Sequence, residues 1–179
     1  MSNNMSKQNT STITFRINKK IDEKLREIAK EQKISVNILA NQIFAKYLDL
    51  DTYMEKFGVM KMSKKVFKMF LDKTDSTELK LLALDAGSRE PKEFMLFKWK
   101  EITSENVFAF MKIYCEHCGY GQCDLEQLEN KTSMSIRHNF GQKGSVYIAS
   151  FLKAVVASTL NHECDIIESS ESVTISFEN

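Results

Sequence analysis

The cysteines and histidines, which are the usual zinc ligands, are confined to one part of this 179-residue chain. All four cysteines and all three histidines lie between Cys115 and Cys164. Tetrahedral zinc takes four such ligands, and a Cys-x-x-Cys pair with a third cysteine nearby supplies three. The possible ligands are Cys115, Cys118, Cys123 and His138, with His162 and Cys164 as other sources of the fourth. The chain has no second Cys-x-x-Cys pair to complete such a site. The alternatives are ordinary thiols at a helix end and redox-sensitive thiols, so we expect no cofactor.

His138 also has a structural interpretation. Met134, Ile136 and His138 alternate with polar residues, as expected for a strand with one buried face. This pattern favours a hydrogen-bonded core histidine over a metal ligand. Residues 141–145, Gly-Gln-Lys-Gly-Ser, lack the spacing of a phosphate-binding loop. No Ser/His/Asp arrangement, metalloprotease motif or placed carboxylate pair is visible, so we expect a protein that is not an enzyme.

A second candidate group lies near the N-terminus, where residues 12–17 read Thr-Ile-Thr-Phe-Arg-Ile. This alternation predicts a short strand with an apolar and a polar face. The apolar face carries Ile13, Phe15 and Ile17, and the polar face carries Thr12, Thr14 and Arg16. One strand is not a sheet, so the simplest partner is the same strand of a second chain.

Two helices are expected after this strand. Asn18 is a suitable cap for a helix that ends near Gln32, and Ser35 for one that ends near Leu48. Apolar residues recur at helical spacing in both segments. Lys33 and Ile34 form a tight connection between them.

The order strand, helix, tight turn, helix resembles the ribbon-helix-helix family of DNA-binding proteins, which includes the Arc, MetJ and CopG repressors. Three segments carry the resemblance: Ile13-Thr-Phe-Arg-Ile-Asn, Ile21-Asp-Glu-Lys-Leu-Arg-Glu-Ile-Ala-Lys and Ile34-Ser-Val-Asn-Ile-Leu-Ala-Asn-Gln-Ile. They cover residues 11–50, about a quarter of the chain. The family often has Gly or Asn before the apolar residue of the turn, where a left-handed backbone is favoured, and this sequence has Lys33 there.

The resemblance implies a homodimer whose two-stranded ribbon enters the major groove of double-stranded DNA. It implies that Thr12, Thr14 and Arg16 contact bases; the alternative is a solvated strand face. The N–H groups at the start of the second helix are suited to bind phosphate. The expected phosphate contacts are Ser35, Val36 and Asn37, with Lys19 and Lys20 as further contacts or simply a solvated helix start.

The rest of the chain is expected to be α+β and mainly helical. We expect a disordered arm over 1–10, the ribbon-helix-helix domain over 11–50 and a helical connector over 51–100. In the connector, one helix starts at Ser63, another runs from Ser76 to near Gly87, and Pro91 begins a short segment. Residues 101–179 should form a small α+β module of order α-β-α-β-β, with Thr103 or Ser104 capping its first helix and a hairpin turn at 169–172.

Charge differs along the chain although the net charge is only +1. Residues 1–50 carry nine Lys/Arg and five Asp/Glu, whereas residues 101–179 carry five and eleven. The basic N-terminal segment is suited to bind a polyanion, whereas the acidic C-terminal segment is not. The N-terminus does not resemble a secretion signal, and the most apolar window, 146–160, is interrupted by Lys153. We expect a cytoplasmic, nucleoid-associated protein without a membrane partner.

These observations predict a dimeric transcription regulator, of the repressor type common in this family. The module at 101–179 would strengthen assembly or bind a small-molecule or protein effector. An antitoxin-like protein, a module that uses the ribbon only to dimerise, and an enzyme fused to a DNA-binding front are the alternatives.

Overall fold

A computed structural model describes residues 11–128 and 131–178. The chain divides into two compact units, Met1–Asp49 (unit 1) and Leu50–Asn179 (unit 2). A short π-helical stretch, Tyr47–Asp51, spans the boundary. The arm expected over residues 1–10 lies outside the described residues.

Unit 1 contains two α-helices, α1 (Lys19–Glu31) and α2 (Val36–Lys46). Both predicted N-caps are confirmed. The Asn18 side chain accepts a hydrogen bond from the Lys20 N–H, 2.9 Å away, and Ser35 Oγ accepts one from the Ile38 N–H at 3.2 Å. Each cap satisfies a backbone donor that has no partner inside its own helix.

The turn between these helices has a left-handed backbone at Lys33, the position where the ribbon-helix-helix family often has Gly or Asn. Lys33 has φ +56°. The Lys33 N–H bonds the Lys30 carbonyl at 3.1 Å, and the Ile34 N–H bonds the Ala29 carbonyl at 2.9 Å. This pair of bonds is a Schellman motif, which closes a helix C-terminus and reverses the chain.

Residues 11–18 belong to no strand in the single chain. A strand is defined by its pairing partner, and the described part of unit 1 offers none. The intermolecular ribbon is therefore not shown here.

Unit 2 is an α+β fold, mainly helical, with one antiparallel sheet. Its elements in chain order are α3 (Thr52–Lys56), α4 (Lys64–Lys73), α5 (Ser76–Trp99), α6 (Ser104–Glu116), β1 (Gln122–Leu128), β2 (Lys131–Arg137), α7 (Gly141–Thr159), β3 (Asp165–Glu168) and β4 (Ser172–Glu178). The expected α-β-α-β-β order for residues 101–179 is wrong in one element, because β1 precedes β2. The polar residues of β1 are poor strand formers, and pairing with β2 makes the strand.

The sheet has the order β1-β2-β4-β3. Its two central strands direct alternate residues into the core: Met134 and Ile136 from β2, and Val173 and Ile175 from β4 are all buried. The hairpin turn at residues 169–172 is confirmed, since the Ser169 N–H bonds the Ser172 carbonyl at 2.8 Å. The buried face of the sheet thus joins the helices in one core.

Helix α5 runs through two residues that we expected to mark boundaries. Gly87 does not end a helix; a Cβ at this position would clash with the carbonyl oxygen of Phe151, so the glycine allows α5 and α7 to approach closely. Pro91 does not begin a new segment; it is buried inside α5. Helix α5 begins at Ser76, as expected, and Asp75 is its N-cap. Segment 51–100 thus supplies α5 to the core that it shares with α7.

Within the residues that the structure describes, no helix is both long and apolar enough to cross a membrane.

Candidate nucleic-acid interface

Unit 1 exposes an apolar surface that is large for its size. Ile13 is 69% exposed, Phe15 57% and Ile17 50%. The Phe15 ring lies 5.6 Å from the Phe44 ring of α2, centroid to centroid, and Phe44 is itself exposed. The other large apolar side chains exposed on this unit are Ile21, Ile38, Ile43, Tyr47 and Leu48. So many exposed large apolar side chains on a small unit are typical of an interaction surface.

The three residues expected to read bases are exposed as well. Thr12, Thr14 and Arg16 alternate along the chain with Ile13 and Phe15. In an extended backbone, alternate side chains point to opposite faces. If the apolar residues are covered, the two threonines and the arginine remain accessible on the opposite face.

The start of α2 presents backbone donors to solvent. Ser35 occupies the cap position and Asn37 is exposed, while Val36 is partly buried. Ser35 satisfies the Ile38 N–H, whereas the N–H groups of Val36 and Asn37 lie in the first turn and have no carbonyl partner within the helix. No acidic residue lies in this first turn. The electrostatics here therefore favour an anion.

The first two residues of α1 are lysines. Lys19 Nζ lies 3.9 Å from Glu23 Oε1, and the Lys19 side chain is 89% exposed, so this ion pair is weak. Lys20 is exposed too. Unit 1 has nine Lys/Arg against five Asp/Glu, whereas unit 2 has sixteen against nineteen. The charge of the chain therefore favours unit 1 for contact with a polyanion.

The predicted zinc ligands are not gathered into a site. Among the described residues, no group of three or more His, Cys, Asp or Glu side chains is placed to hold a metal ion. Cys115 is buried in α6, Cys118 is exposed beyond the end of that helix, and Cys123 is partly buried on β1. These three cysteines are close in sequence but lie in three different environments.

His138 is a hydrogen-bonded core residue in this structure. Its Nδ1 accepts a hydrogen bond from the Phe140 N–H at 3.2 Å. Its Nε2 lies 3.0 Å from Ser145 Oγ, and because that hydroxyl donates to the Ser169 carbonyl, Nε2–H is the donor to Ser145. Burial lowers the pKa of His138, opposed in part by the Glu171 carboxylate. Both ring nitrogens are therefore occupied, as expected for the neutral imidazole.

Comparison with known proteins adds no relative: no protein-family model and no curated protein matches the chain.

Proposed function

We propose that the chain is a dimeric, sequence-specific DNA-binding transcription regulator in which residues 12–17 of two chains pair as an antiparallel ribbon. The observation that carries the proposal is the exposure of Ile13, Phe15 and Ile17 next to an exposed Phe44. Burying each of these side chains against a second chain is worth about 1.5–3 kcal/mol. A pair of strands also satisfies backbone groups that one extended segment leaves to water.

The polar face of such a ribbon carries groups suited to read DNA. A two-stranded ribbon fits the major groove, where each base pair presents a distinct pattern of donors and acceptors. Arg16 is suited to grip guanine with two hydrogen bonds, and Thr12 and Thr14 to bond a base or contact a thymine methyl group. These three side chains supply the specificity in our proposal.

Contacts to the DNA backbone would come from the helix starts. The N–H groups at Val36 and Asn37 favour a phosphate, and Ser35 holds the cap that orients them. Lys19 and Lys20 add positive charge without reading sequence. Unit 2, with its acidic balance, serves assembly or effector sensing, and the protein acts in the cytoplasm at the nucleoid.

The test begins with selection of bound sequences from random duplex DNA by the full chain. We expect a short site that is palindromic or repeated in tandem, because two ribbon strands present the same residues twice. A protein that uses the strand only to dimerise would select no sequence and would show no steep dependence of binding on salt.

The selected duplex then tests Arg16. Replacing Arg16 by Ala should cost about 1–3 kcal/mol per lost bidentate contact and relax the preference at one position of each half-site. Arg26→Ala is the matched control, because it removes the same charge from an exposed position on α1. Lys20→Ala should weaken cognate and scrambled duplexes alike and lower the salt slope by about one unit per contact. Unchanged affinity and unchanged preference in Arg16→Ala would contradict the proposal.

A further inference from the structure

Unit 2 contains an open cleft of about 560 Å³, and two of the possible zinc ligands, Cys115 and His138, are among the residues that line it. Four separate segments form it: the start of α4, the loop between α6 and β1, the end of β2, and the turn between β3 and β4. The lining side chains that matter most are Lys64, Gln122, Arg137, His138, Asn139 and Glu171. A volume of this size is in the usual range for small-molecule sites.

The walls of the cleft are tied together by buried hydrogen bonds. His138, at the end of β2, is bonded to Ser145 in the first turn of α7. The Ser145 hydroxyl in turn donates to the Ser169 carbonyl in the β3–β4 turn. The His138 N–H also bonds the Glu171 carbonyl at 2.9 Å. Because these bonds are internal and both His138 and Ser145 are buried, the cleft is held in shape before any ligand enters.

Glycines shape the opposite wall. Gly119 has φ +80°, and a Cβ there would lie 2.9 Å from Lys64 Cε, so the Lys64 stem lies directly over the glycine. A side chain on Gly121 would clash with the backbone carbonyl of Arg137. The Arg137 backbone therefore approaches Gly121 closely only because this residue has no side chain, whereas at Gly119 it is the left-handed backbone that favours glycine.

The charges in the cleft are of both signs. Arg137 is committed to Asp124, with 2.7 Å between Nη2 and Oδ2. Among the described residues, Lys64 has no carboxylate partner and Glu171 has no cationic one. Within the part of the chain that the structure describes, the Lys64 ammonium and the Glu171 carboxylate thus line the cleft without an ion-pair partner. The cleft also contains the side-chain amides of Gln122 and Asn139.

We propose that this cleft binds a small zwitterion of the α-amino-acid type, with its carboxylate toward Lys64 and its ammonium toward Glu171. A dianion would meet the repulsion of Glu171, and a simple amine would leave Lys64 without a counterion. The two amides supply hydrogen bonds of either polarity to the rest of the ligand. The site belongs to unit 2 alone and stands whether or not unit 1 binds DNA.

The experiment uses the full chain with the standard α-amino acids, succinate and a simple alkylamine, each added separately. Binding to the folded state raises the thermal midpoint of unfolding, and calorimetric titration then gives the affinity. We expect at least one amino acid to stabilise the protein. Its amide, which lacks the carboxylate, and its N-acetyl derivative, which lacks the ammonium, should each bind about tenfold or more weakly.

Two variants locate the site. Lys64→Met removes the ammonium and keeps the stem over Gly119, and Glu171→Gln removes only the charge. Each should weaken binding of the amino acid about tenfold. Lys65→Met and Glu168→Gln are the matched controls, because both residues are exposed and neither lines the cleft; both should bind like the wild type. Failure of every amino acid to stabilise, stronger stabilisation by succinate or by the amine, or unchanged affinity in either Lys64→Met or Glu171→Gln would overturn the proposal.

Discussion

Unit 1 and unit 2 bury their apolar side chains to very different extents. Among the described residues of unit 1, the buried apolar residues are Ala29 and Leu39. Unit 2 has a continuous core in which Phe94, Phe110 and Ile148 are almost completely enclosed. Chains of about forty residues rarely enclose a core without a disulfide, a metal ion or a second chain, whereas larger chains do so readily.

The unequal burial indicates which unit depends on association. Unit 2 covers its sheet with helices of its own chain, so its stability should not depend on protein concentration. Unit 1 leaves Phe15 and its apolar neighbours exposed, so its stability should rise with concentration if a second chain covers them. Each prediction below acts on one unit and leaves the other as an internal control.

The largest effect is expected from Phe15→Ser. Removing a large aromatic side chain from a buried interface costs about 3–5 kcal/mol, and both chains of a dimer lose it. The dimer dissociation constant should therefore rise by at least about a hundredfold. Sedimentation of the full chain over a range of concentrations measures this directly.

Thr14→Ser is the matched control for Phe15→Ser, since it changes the polar face and should leave the dimer intact. The unfolding of unit 2 should be the same in both variants, because the aromatic contact of Phe15 is with Phe44 in unit 1. A wild-type chain that sediments as a monomer at every concentration would refute the dimer, as would a Phe15→Ser dimer as tight as the wild type.

The local features of unit 1 could be predicted because they depend on neighbouring residues. Asn18 and Ser35 are caps by side-chain chemistry alone, and both were assigned correctly. Lys33 takes the left-handed backbone that the turn favours, although it is not glycine. The pairing of residues 12–17 depends on a partner strand from a second copy, which local sequence does not specify.

The misses in unit 2 come from tertiary contacts that override local signals. Gly87 and Pro91 are residue types that commonly end or begin helices, but the packing of α5 on α7 keeps the helix continuous through both.

The cysteine spacing did not indicate burial: Cys115 is buried and Cys118 is exposed. The alternation around His138 indicated its buried position correctly. The cysteine and histidine cluster marked one part of the cleft, through Cys115 and His138, but the sequence did not indicate Lys64 or Glu171, because they come from distant segments.

Acid should change the stability of the two units differently, because all three histidines belong to unit 2. Burial lowers the pKa of His138 below the 6.5 of an ordinary imidazole. The unfolded chain therefore takes up the proton more readily than the folded one. The contribution of the neutral, buried His138 ring to the free energy of unfolding is complete above pH 6.5. It is lost as the pH falls through the folded-state pKa. We expect the free energy of unfolding of unit 2 to decline over this range.

His138→Gln tests the cause of this decline. The variant should be less stable at pH 7.5 by about 1–3 kcal/mol, since buried hydrogen bonds are lost, and its stability should respond less to acid. His117→Gln removes an exposed histidine and should keep the wild-type acid response. Urea unfolding followed through Trp99, in unit 2, gives both quantities. An acid response in His138→Gln equal to that of the wild type would assign the effect to another group.

The smallest expected effect is at the turn of unit 1. A residue other than glycine in the left-handed region carries about 1–2 kcal/mol of strain, which Lys33→Gly would relieve. Glycine also gives the unfolded chain more conformational freedom, which offsets about 0.5–1 kcal/mol of that gain. The net result should be a stabilisation of unit 1 by about 0.5 kcal/mol.

Lys30→Gly makes the comparison decisive, because it removes the same charge only three residues away. Lys30 lies in the last turn of α1 with helical backbone, so glycine there relieves nothing and should destabilise the helix by about 1 kcal/mol. Hydrogen exchange of the amides in α1 and α2 measures both variants at one protein concentration. Protection should rise in Lys33→Gly and fall in Lys30→Gly, while the amides of α5 and α7 in unit 2 stay unchanged. If both substitutions lower protection equally, the left-handed turn does not determine the stability of unit 1, and the apolar contacts with a second chain must account for it.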